Sequence, residues 1–276
     1  MLAIFVIFLR EGVEASMIVA ILLAFLDRID QRRHFKDVFA GVALALGLAA
    51  AGGVVAYVTI RTYAGTRVQT IFETVTYLLA AIVLTYMTFW MRRHARTISQ
   101  ELREATKRAL EGKERFGLFF LAFQAVGREG LETVVFTLAI VFAAGVGGRY
   151  ALIGAPIGLV ASLGIAFFIY KLGRRINIAR FFGVLAVVLT FFAAGLLADC
   201  VENLGQLGWV TVLAHPLWDT SHVLSEDSAV GDIFHSLFGY ADRPSVLQAI
   251  VYVAYLLMAF GAMWGISGAY RREGIE

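Results

Sequence analysis

The sequence predicts an all-α, polytopic membrane protein with seven transmembrane helices, arranged as an inverted 3+3 repeat plus one further helix. Three observations support this fold class. The chain of 276 residues is 59% hydrophobic, and its apolar residues form continuous runs long enough to cross a bilayer. The polar segments between these runs alternate between rich and poor in lysine and arginine. A charged pentapeptide occurs near the middle of two of the runs.

Seven apolar runs approach the length of about 20 residues that a membrane-spanning helix needs. The runs are continuous rather than alternating in polarity, which favours helices over the strands of a β-barrel. Because these runs and their connections occupy the whole sequence, we expect a single transmembrane domain over residues 1–276. The predicted spans are residues 2–26, 38–60, 71–91, 117–143, 151–170, 181–198 and 246–268.

The basic residues between the spans predict the orientation. The connections at residues 27–37, 92–116 and 171–180 and the C-terminal tail contain 4, 8, 4 and 2 lysines and arginines. By the positive-inside rule these segments are cytoplasmic, which places the N-terminus outside and the C-terminus in the cytoplasm of a chain that crosses its membrane several times. Residues 92–116 also mix acids with bases at helical spacing, which predicts a solvated helix. The connections on the opposite side carry only Arg61, Arg67, Arg149 and Arg243.

The charged pentapeptide predicts the repeat. It reads REGVE in the first predicted span and REGLE in the fourth, so an odd number of spans separates equivalent positions. The second copy therefore crosses the bilayer in the opposite direction, as in the inverted repeats of many transporters. We expect repeat 1 at about residues 1–91, repeat 2 at about 117–198, an outer loop at 199–245 and the seventh helix at 246–268.

The charges of the pentapeptide are costly at the centre of a membrane helix. Each charged side chain there costs at least about 2.5–3.5 kcal/mol, so these groups must face protein, water or an ion. In each copy the two glutamates are three residues apart and share a helix face, and the arginine is four residues before the second glutamate. The residues are Arg10, Glu11 and Glu14 in the first copy and Arg128, Glu129 and Glu132 in the second.

If the two halves meet at these positions, four carboxylates converge on one place. Clusters of carboxylate oxygens bind hard cations, and the two arginines offset part of the negative charge. Gly12 and Gly130 lack side chains, so another backbone can approach closely or the helix can unwind locally. A structural alternative is a pair of Arg–Glu contacts that only hold helices together. Such contacts do not need a second glutamate in each copy, so the sequence favours a metal site.

The paired pentapeptides resemble the R-E-G-L-E signatures of the oxidase-dependent iron permeases, the bacterial and fungal high-affinity iron transporters. The resemblance covers nearly the whole chain and includes FWMRR at 89–93, AAGLL at 193–197 and the segment at 218–245. It implies import of iron, generally as ferric ion, across the plasma membrane, with the four pentapeptide glutamates as ligands. Iron would be the transported substrate rather than a bound cofactor, and the chain would not be an enzyme. The expected partner is an extracytoplasmic iron-oxidising or iron-delivering protein, and no nucleic acid is expected.

The predicted outer loop is a second place where a metal ion could be held. It contains seven acids, one arginine and three of the five histidines, so it would concentrate cations at the outer surface. Several of these residues are at helical spacing; the alternative is a solvated, partly helical lid with ordinary caps. One glutamate in the third span also matches a glutamate common in bacterial iron permeases. The residues considered as first ligands on the outer side are Glu73, Asp219, His222, Glu226, Asp227 and His235.

Other functions are open to the same sequence. Carboxylates also relay protons, so proton-coupled transport of another divalent cation is one alternative. A non-transporting membrane subunit of a redox complex is the other, although no histidine lies within a predicted span to bind haem. The pairs Gly154/Gly158 and Gly261/Gly265 have the GxxxG spacing of close helix packing, either within the chain or in an oligomer.

Overall fold

The computed structural model describes residues 2–94, 98–111, 116–143, 151–172, 178–226 and 228–273. These ranges are helical apart from turns and one isolated β-bridge, and no strand forms within them, which confirms the all-α prediction. A short 3-10 turn at Arg32–His34 precedes the second helix. The helices are α1 (Leu2–Arg28), α2 (Phe35–Arg61), α3 (Arg67–His94), α4 (Ile98–Glu111), α5 (Gly117–Ala143), α6 (Ala151–Leu172), α7 (Ile178–Gln206), α8 (Ala229–Phe238) and α9 (Val246–Glu273).

A helix lies at each predicted span, and four of them are long and apolar enough to cross a membrane. These four are α2, α3, α7 and α9, so the chain is a membrane protein by helix length and composition. The helices α1 and α5 each carry the three charges of a pentapeptide, which lowers their apolarity. The solvated helix predicted between the third and fourth spans is α4.

Two predicted boundaries are wrong in ways that affect the candidate ligands. The helix α7 continues to Gln206, eight residues beyond the predicted end of the sixth span, so the first part of the predicted outer loop is helical. The polar side chains Asp199 and Glu202 hid this continuation, because polar residues at a helix end resemble a loop. The helix α3 begins at Arg67 rather than residue 71, which places Glu73 in its second turn.

The chain forms two compact units, which are described separately. The first contains residues 1–62, 93–141 and 146–181. It therefore includes α1, α2, α4, α5 and α6, and both pentapeptides. The second contains residues 63–92, 142–145 and 182–276, and includes α3, α7, α8 and α9.

A buried apolar cluster defines the helix directions in the first unit. Leu22 and Leu26 from the end of α1 pack with Val38 from the start of α2 and with Leu118 and Ala122 from the start of α5. The end of α1 therefore lies beside the beginnings of α2 and α5. It follows that α5 runs opposite to α1 and in the same direction as α2.

Glycine contacts give the direction and spacing of α6 against α1. A Cβ atom placed on Gly158 would lie 2.7 Å from the Cβ of Phe8 and 2.8 Å from the carbonyl oxygen of Phe5. One turn further along both helices, a Cβ on Gly12 would collide with the side chain of Ser162. The two helices therefore run parallel and in close contact, and Gly158 serves the close packing that its GxxxG spacing predicts.

The second unit is held by contacts that join α3, α7, α8 and α9. The hydroxyl groups of Thr85 in α3 and Tyr255 in α9 lie 2.7 Å apart, and the rings of Phe191 and Phe260 have centroids 5.6 Å apart. The helix α8 ends at Gly239, whose φ of 64° is the left-handed conformation that favours glycine. A Cβ on Gly239 would lie 2.3 Å from the Cα of Gly195 in α7, so any side chain at Gly239 meets backbone.

Replacing Gly158 with alanine tests the close contact between α1 and α6. The new methyl group meets the Phe5 backbone and must push the helices apart, which we expect to lower the free energy of unfolding by about 1–3 kcal/mol. The matched control is Gly164→Ala in the same helix, where a Cβ has no neighbour within 4 Å. Thermal unfolding of the purified protein in detergent should show a loss for Gly158→Ala only. Equal stability of the two variants would contradict this packing.

Candidate metal centre

The pentapeptide charges of α1 are almost completely buried. Arg10, Glu11 and Glu14 are 3%, 2% and 4% exposed. The helix is continuous through this stretch, and α5 is likewise continuous through the second copy, so the expected i, i+3 geometry is present in both. Local unwinding at Gly12 and Gly130, one of the two expected uses of these glycines, is not present in the structure.

Carboxylates from two oppositely directed helices meet in the first unit. Ligand atoms of Glu11, Glu14 and Glu129 all lie within 4.8 Å of one another, and all three residues are buried. Glu132 is not one of the three; its Oε1 accepts a hydrogen bond from Arg128 at 3.0 Å. The sequence prediction that the glutamates of the two copies lie close together therefore agrees with the geometry.

The two arginines contact the group differently. Arg10 forms ion pairs with both glutamates of its own helix: Nη1 contacts Glu11, and Nε lies 3.2 Å from Oε1 of Glu14. Arg128 donates a hydrogen bond from Nε to Oε1 of Glu132 at 3.0 Å. The Arg10 side chain is 4% exposed and the Arg128 side chain is 44% exposed. One cation is thus part of the buried cluster, and the other lies at its edge.

Each of the four glutamates retains an oxygen without a hydrogen-bond donor among the residues that the structure describes. These atoms are Glu11 Oε2, Glu14 Oε1, Glu129 Oε2 and Glu132 Oε2. The Arg10–Glu14 contact is an ion contact whose angles are not those of a hydrogen bond. Buried acceptors without donors are rare because they carry a desolvation penalty. A hard cation among these oxygens would remove that penalty.

The glycine of each pentapeptide packs against a small residue of a neighbouring helix. Gly12 packs on Ser162 of α6, and a Cβ on Gly130 would lie 2.9 Å from the Cβ of Ala49 in α2. Ser162 is fully buried, and its hydroxyl donates to the Leu159 carbonyl at 2.7 Å. The sequence analysis missed Ser162 and Ala49. The sequence feature that could have indicated these contacts is that each is a small residue near the middle of its helix, α6 or α2.

The residues considered as outer ligands belong to the second unit, and the structure gives several of them other partners. Glu73 is partly buried and accepts a hydrogen bond from Gln69 Nε2 at 2.7 Å. The first turn of α3 contains no acid, and Glu73 lies in the second turn. Asp227 lies outside the described residues. Glu73 and Asp227 as metal ligands stay predictions.

The segment around Asp219 and His222 is a series of turns rather than a helix, so the helical spacing expected there is wrong. Asp219 accepts hydrogen bonds from the backbone N–H and hydroxyl of Ser221, and Arg243 Nε lies 3.0 Å from its other oxygen. These contacts, with Ser221 as the largest contributor, lower the pKa of Asp219 to about 2. Asp219 is therefore a turn-stabilising residue, whereas His222 is exposed.

Glu226 and His235 support the fold of the outer segment. Glu226 Oε1 accepts the Asp242 N–H at 2.8 Å, and burial raises the pKa of Glu226. Burial by itself would lower the pKa of His235. The Asp199 carboxylate, the hydrogen bond to the Tyr240 carbonyl at 2.8 Å, and Glu226 outweigh burial, so the pKa of His235 lies above its ordinary value.

Replacing Arg10 with methionine tests whether the buried cluster depends on its cation. The variant leaves two buried carboxylates without their ion-pair partner, and breaking a buried pair costs about 3–5 kcal/mol of unfolding free energy. The comparison is Arg128→Met, which removes a partly exposed ion pair (side chains 44% and 11% exposed) and should cost less than Arg10→Met. Thermal unfolding in detergent should separate the two variants clearly. A smaller loss for Arg10→Met than for Arg128→Met would contradict the asymmetry described above.

His235 makes the outer segment sensitive to pH. A histidine whose pKa is raised by folding stabilises the fold fully below its unfolded pKa of about 6.5, and this contribution is lost as the pH rises through the raised value. Burial of Glu226 acts in the same direction. With a chelator present, the unfolding temperature should fall between pH 6 and pH 8.5, and less so in His235→Gln. The control is His222→Gln at an exposed position; an unchanged pH profile in His235→Gln would contradict this role.

Comparison with known proteins gives a consistent result over almost the entire sequence. Residues 1–270 match the model of the iron permease FTR1 family. The chain is 34% identical over 260 residues to the ferrous iron permease EfeU of Escherichia coli O157:H7 and to that of Shigella sonnei, covering 94% of this chain and 93% of each relative. It is 34% identical over 257 residues to the Yersinia pestis protein of the same name, covering 92% and 90%.

No solved structure matches the chain. The family match extends over both pentapeptides, the outer segment and most of the last helix. The chain therefore belongs to the iron permease FTR1 family, whose members are transporters rather than enzymes.

Proposed function

We propose that this chain imports iron ions across the plasma membrane and holds each ion at Glu11, Glu14, Glu129 and Glu132. One observation carries the proposal: carboxylates from two oppositely directed helices lie within 4.8 Å of one another while an oxygen of each glutamate lacks a donor in the described structure. Glu14 Oε1 still contacts Arg10, but contacts that only hold helices together would not explain the donor-free oxygens Glu11 Oε2, Glu129 Oε2 and Glu132 Oε2.

The charge of the cluster supports a multivalent cation as its occupant. Four carboxylates and two guanidinium groups have a formal charge of −2 when all are ionised. Oxygen-only ligands suit hard cations, and in apolar surroundings this negative charge attracts a cation more strongly than it would in water. Arg10 orients Glu11 and Glu14, and after release of the ion it supplies part of the counter-charge. Binding can therefore be strong enough for capture without being irreversible.

The proposed transport unit is an inverted repeat, with α1 to α3 as one half and α5 to α7 as the other, followed by α9. Opposite directions of α1 and α5 support it. In addition, Gly12 of α1 packs on α6 and Gly130 of α5 packs on α2, so each pentapeptide glycine contacts the second helix of the other half. Both of these helix pairs are parallel. An inverted repeat produces such exchanged, equivalent contacts.

Seven membrane spans, an outer N-terminus and a cytoplasmic C-terminus complete the proposal. The loop charges support this orientation, since the segments containing the basic residues alternate along the chain. An extracytoplasmic protein that oxidises or delivers iron is the proposed partner. The resemblance favours ferric ion as substrate, whereas the relatives are named for ferrous ion, so both oxidation states enter the test.

Substitution of the second glutamate in each pentapeptide tests the proposal. Glu14→Gln and Glu132→Gln each remove one charge and one strong ligand while preserving size. We expect uptake of radioactive iron into proteoliposomes to fall by more than about tenfold, since even outer-shell changes at metal sites cost 10–100-fold. The matched control is Glu101→Gln in α4, an exposed position, which should retain normal uptake.

The assay supplies iron as ferrous ion with ascorbate and as ferric citrate, and a parallel arm supplies manganous ion with and without a pH gradient. Normal iron uptake by correctly inserted Glu14→Gln or Glu132→Gln would overturn the ligand assignment. Manganese uptake driven by the pH gradient, without iron uptake in either state, would instead favour the proton-coupled exchanger. Absence of uptake of any metal by the wild type would favour a non-transporting subunit.

A further inference from the structure

A groove of about 990 Å³ lies between α1 and α4 within the first unit. Its walls along α1 are apolar and include Val13, Met17 and Ile21, with the small side chains of Ala20 and Ala24 beside them. The groove lies outside the carboxylate cluster, but it begins at Val13, next to Glu14 in the chain.

The other end of the groove is basic. Arg28 at the end of α1 and Arg103 and Lys107 of α4 line it, and Glu104 is the acid that accompanies them. Among the described residues none of these three cations forms an ion pair, and Glu104 accepts a hydrogen bond from Gln100 Nε2 at 3.1 Å. The basic end of the groove therefore carries a net positive charge, with three cationic side chains and one carboxylate.

A groove with an apolar wall and a basic end is unsuited to conducting cations and is suited to binding an anionic amphiphile. A metal ion leaving the glutamates along this groove would find no carboxylate along α1, where Ser16 supplies the one polar side chain before Arg28, and would be repelled at the basic end. An anionic head with hydrocarbon chains matches both ends of the groove. Basic pockets beside membrane helices on the cytoplasmic side bind anionic lipid headgroups in this way.

The length of the groove fits one leaflet. From Val13 to Arg28 the helix rises by about 22 Å at 1.5 Å per residue. Half of a bilayer with its headgroups is about 20–22 Å thick. The basic end belongs to the segments that the loop charges place in the cytoplasm. We propose that the groove between α1 and α4 binds an anionic phospholipid of the inner leaflet, with its headgroup at Arg28, Arg103 and Lys107 and its acyl chains along α1.

Native mass spectrometry of the purified full chain, incubated with phosphatidylglycerol or phosphatidylcholine in mild detergent, tests this proposal. The wild type should retain one phosphatidylglycerol in preference to phosphatidylcholine. The combined variant Arg28→Gln, Arg103→Gln, Lys107→Gln should reduce retention about tenfold or more, because each basic group near a membrane surface contributes measurably to anionic lipid binding. The charge-matched control is Arg33→Gln, Lys36→Gln, Arg108→Gln, at exposed positions that do not line the groove.

A second variant separates a shaped site from diffuse attraction. Ala24→Trp fills the apolar part without changing charge and should also abolish retention, whereas Ala50→Trp on an exposed position of α2 should not. Retention that survives Ala24→Trp but is lost with the basic residues would overturn the proposal in favour of surface attraction. Lipid-free dimers as the main species would overturn it in favour of a second copy of the chain. The result does not depend on iron transport.

Discussion

The structure of the first unit depends on the burial of three carboxylates and one guanidinium group among apolar helices, with Glu132 partly exposed beside Arg128. No single helix can carry these charges in hydrocarbon, because each costs several kcal/mol without a partner. The pentapeptides of α1 and α5 therefore need each other, and α5 must run opposite to α1 for the same face of both motifs to meet. Helix direction, helix order and the position of the site all follow from this requirement.

Close helix packing is the second condition for such a site, and it explains the glycines. Carboxylates of two helices come within 4.8 Å only if neighbouring helices leave little space. Gly12 against Ser162 and Gly130 against Ala49 remove the side chains that would hold α6 and α2 away. In a membrane the packing of small residues replaces the hydrophobic effect as the main force between helices. The glycine inside each pentapeptide is therefore part of the site, although it offers no ligand.

The sequence predicted the convergence of the glutamates because their spacing and the odd number of intervening spans leave few other arrangements. It did not predict Ser162 or Ala49, since small residues in apolar helices are too common to indicate a contact. It misplaced the end of α7, because Asp199 and Glu202 have the composition of a loop. It offered Asp219 as a possible first ligand and did not predict that Ser221 and Arg243 contact this side chain. Local contacts of this kind depend on the path of the chain and cannot be read from spacing.

The two pentapeptides are equivalent in sequence, but their arginines are not equally exposed in the structure. Arg10 is enclosed with both of its glutamates, whereas Arg128 remains exposed beside Glu132. A symmetric cluster would hold an ion equally from both sides and would give no direction to its movement. Arg10 contacts both glutamates of α1, whereas Arg128 donates to Glu132 at the edge of the cluster, so the positive charge is distributed unevenly between the two copies. In the proposed transport mechanism, both halves of the repeat would supply ligands, and the difference between the two copies would distinguish the two sides of the bound ion.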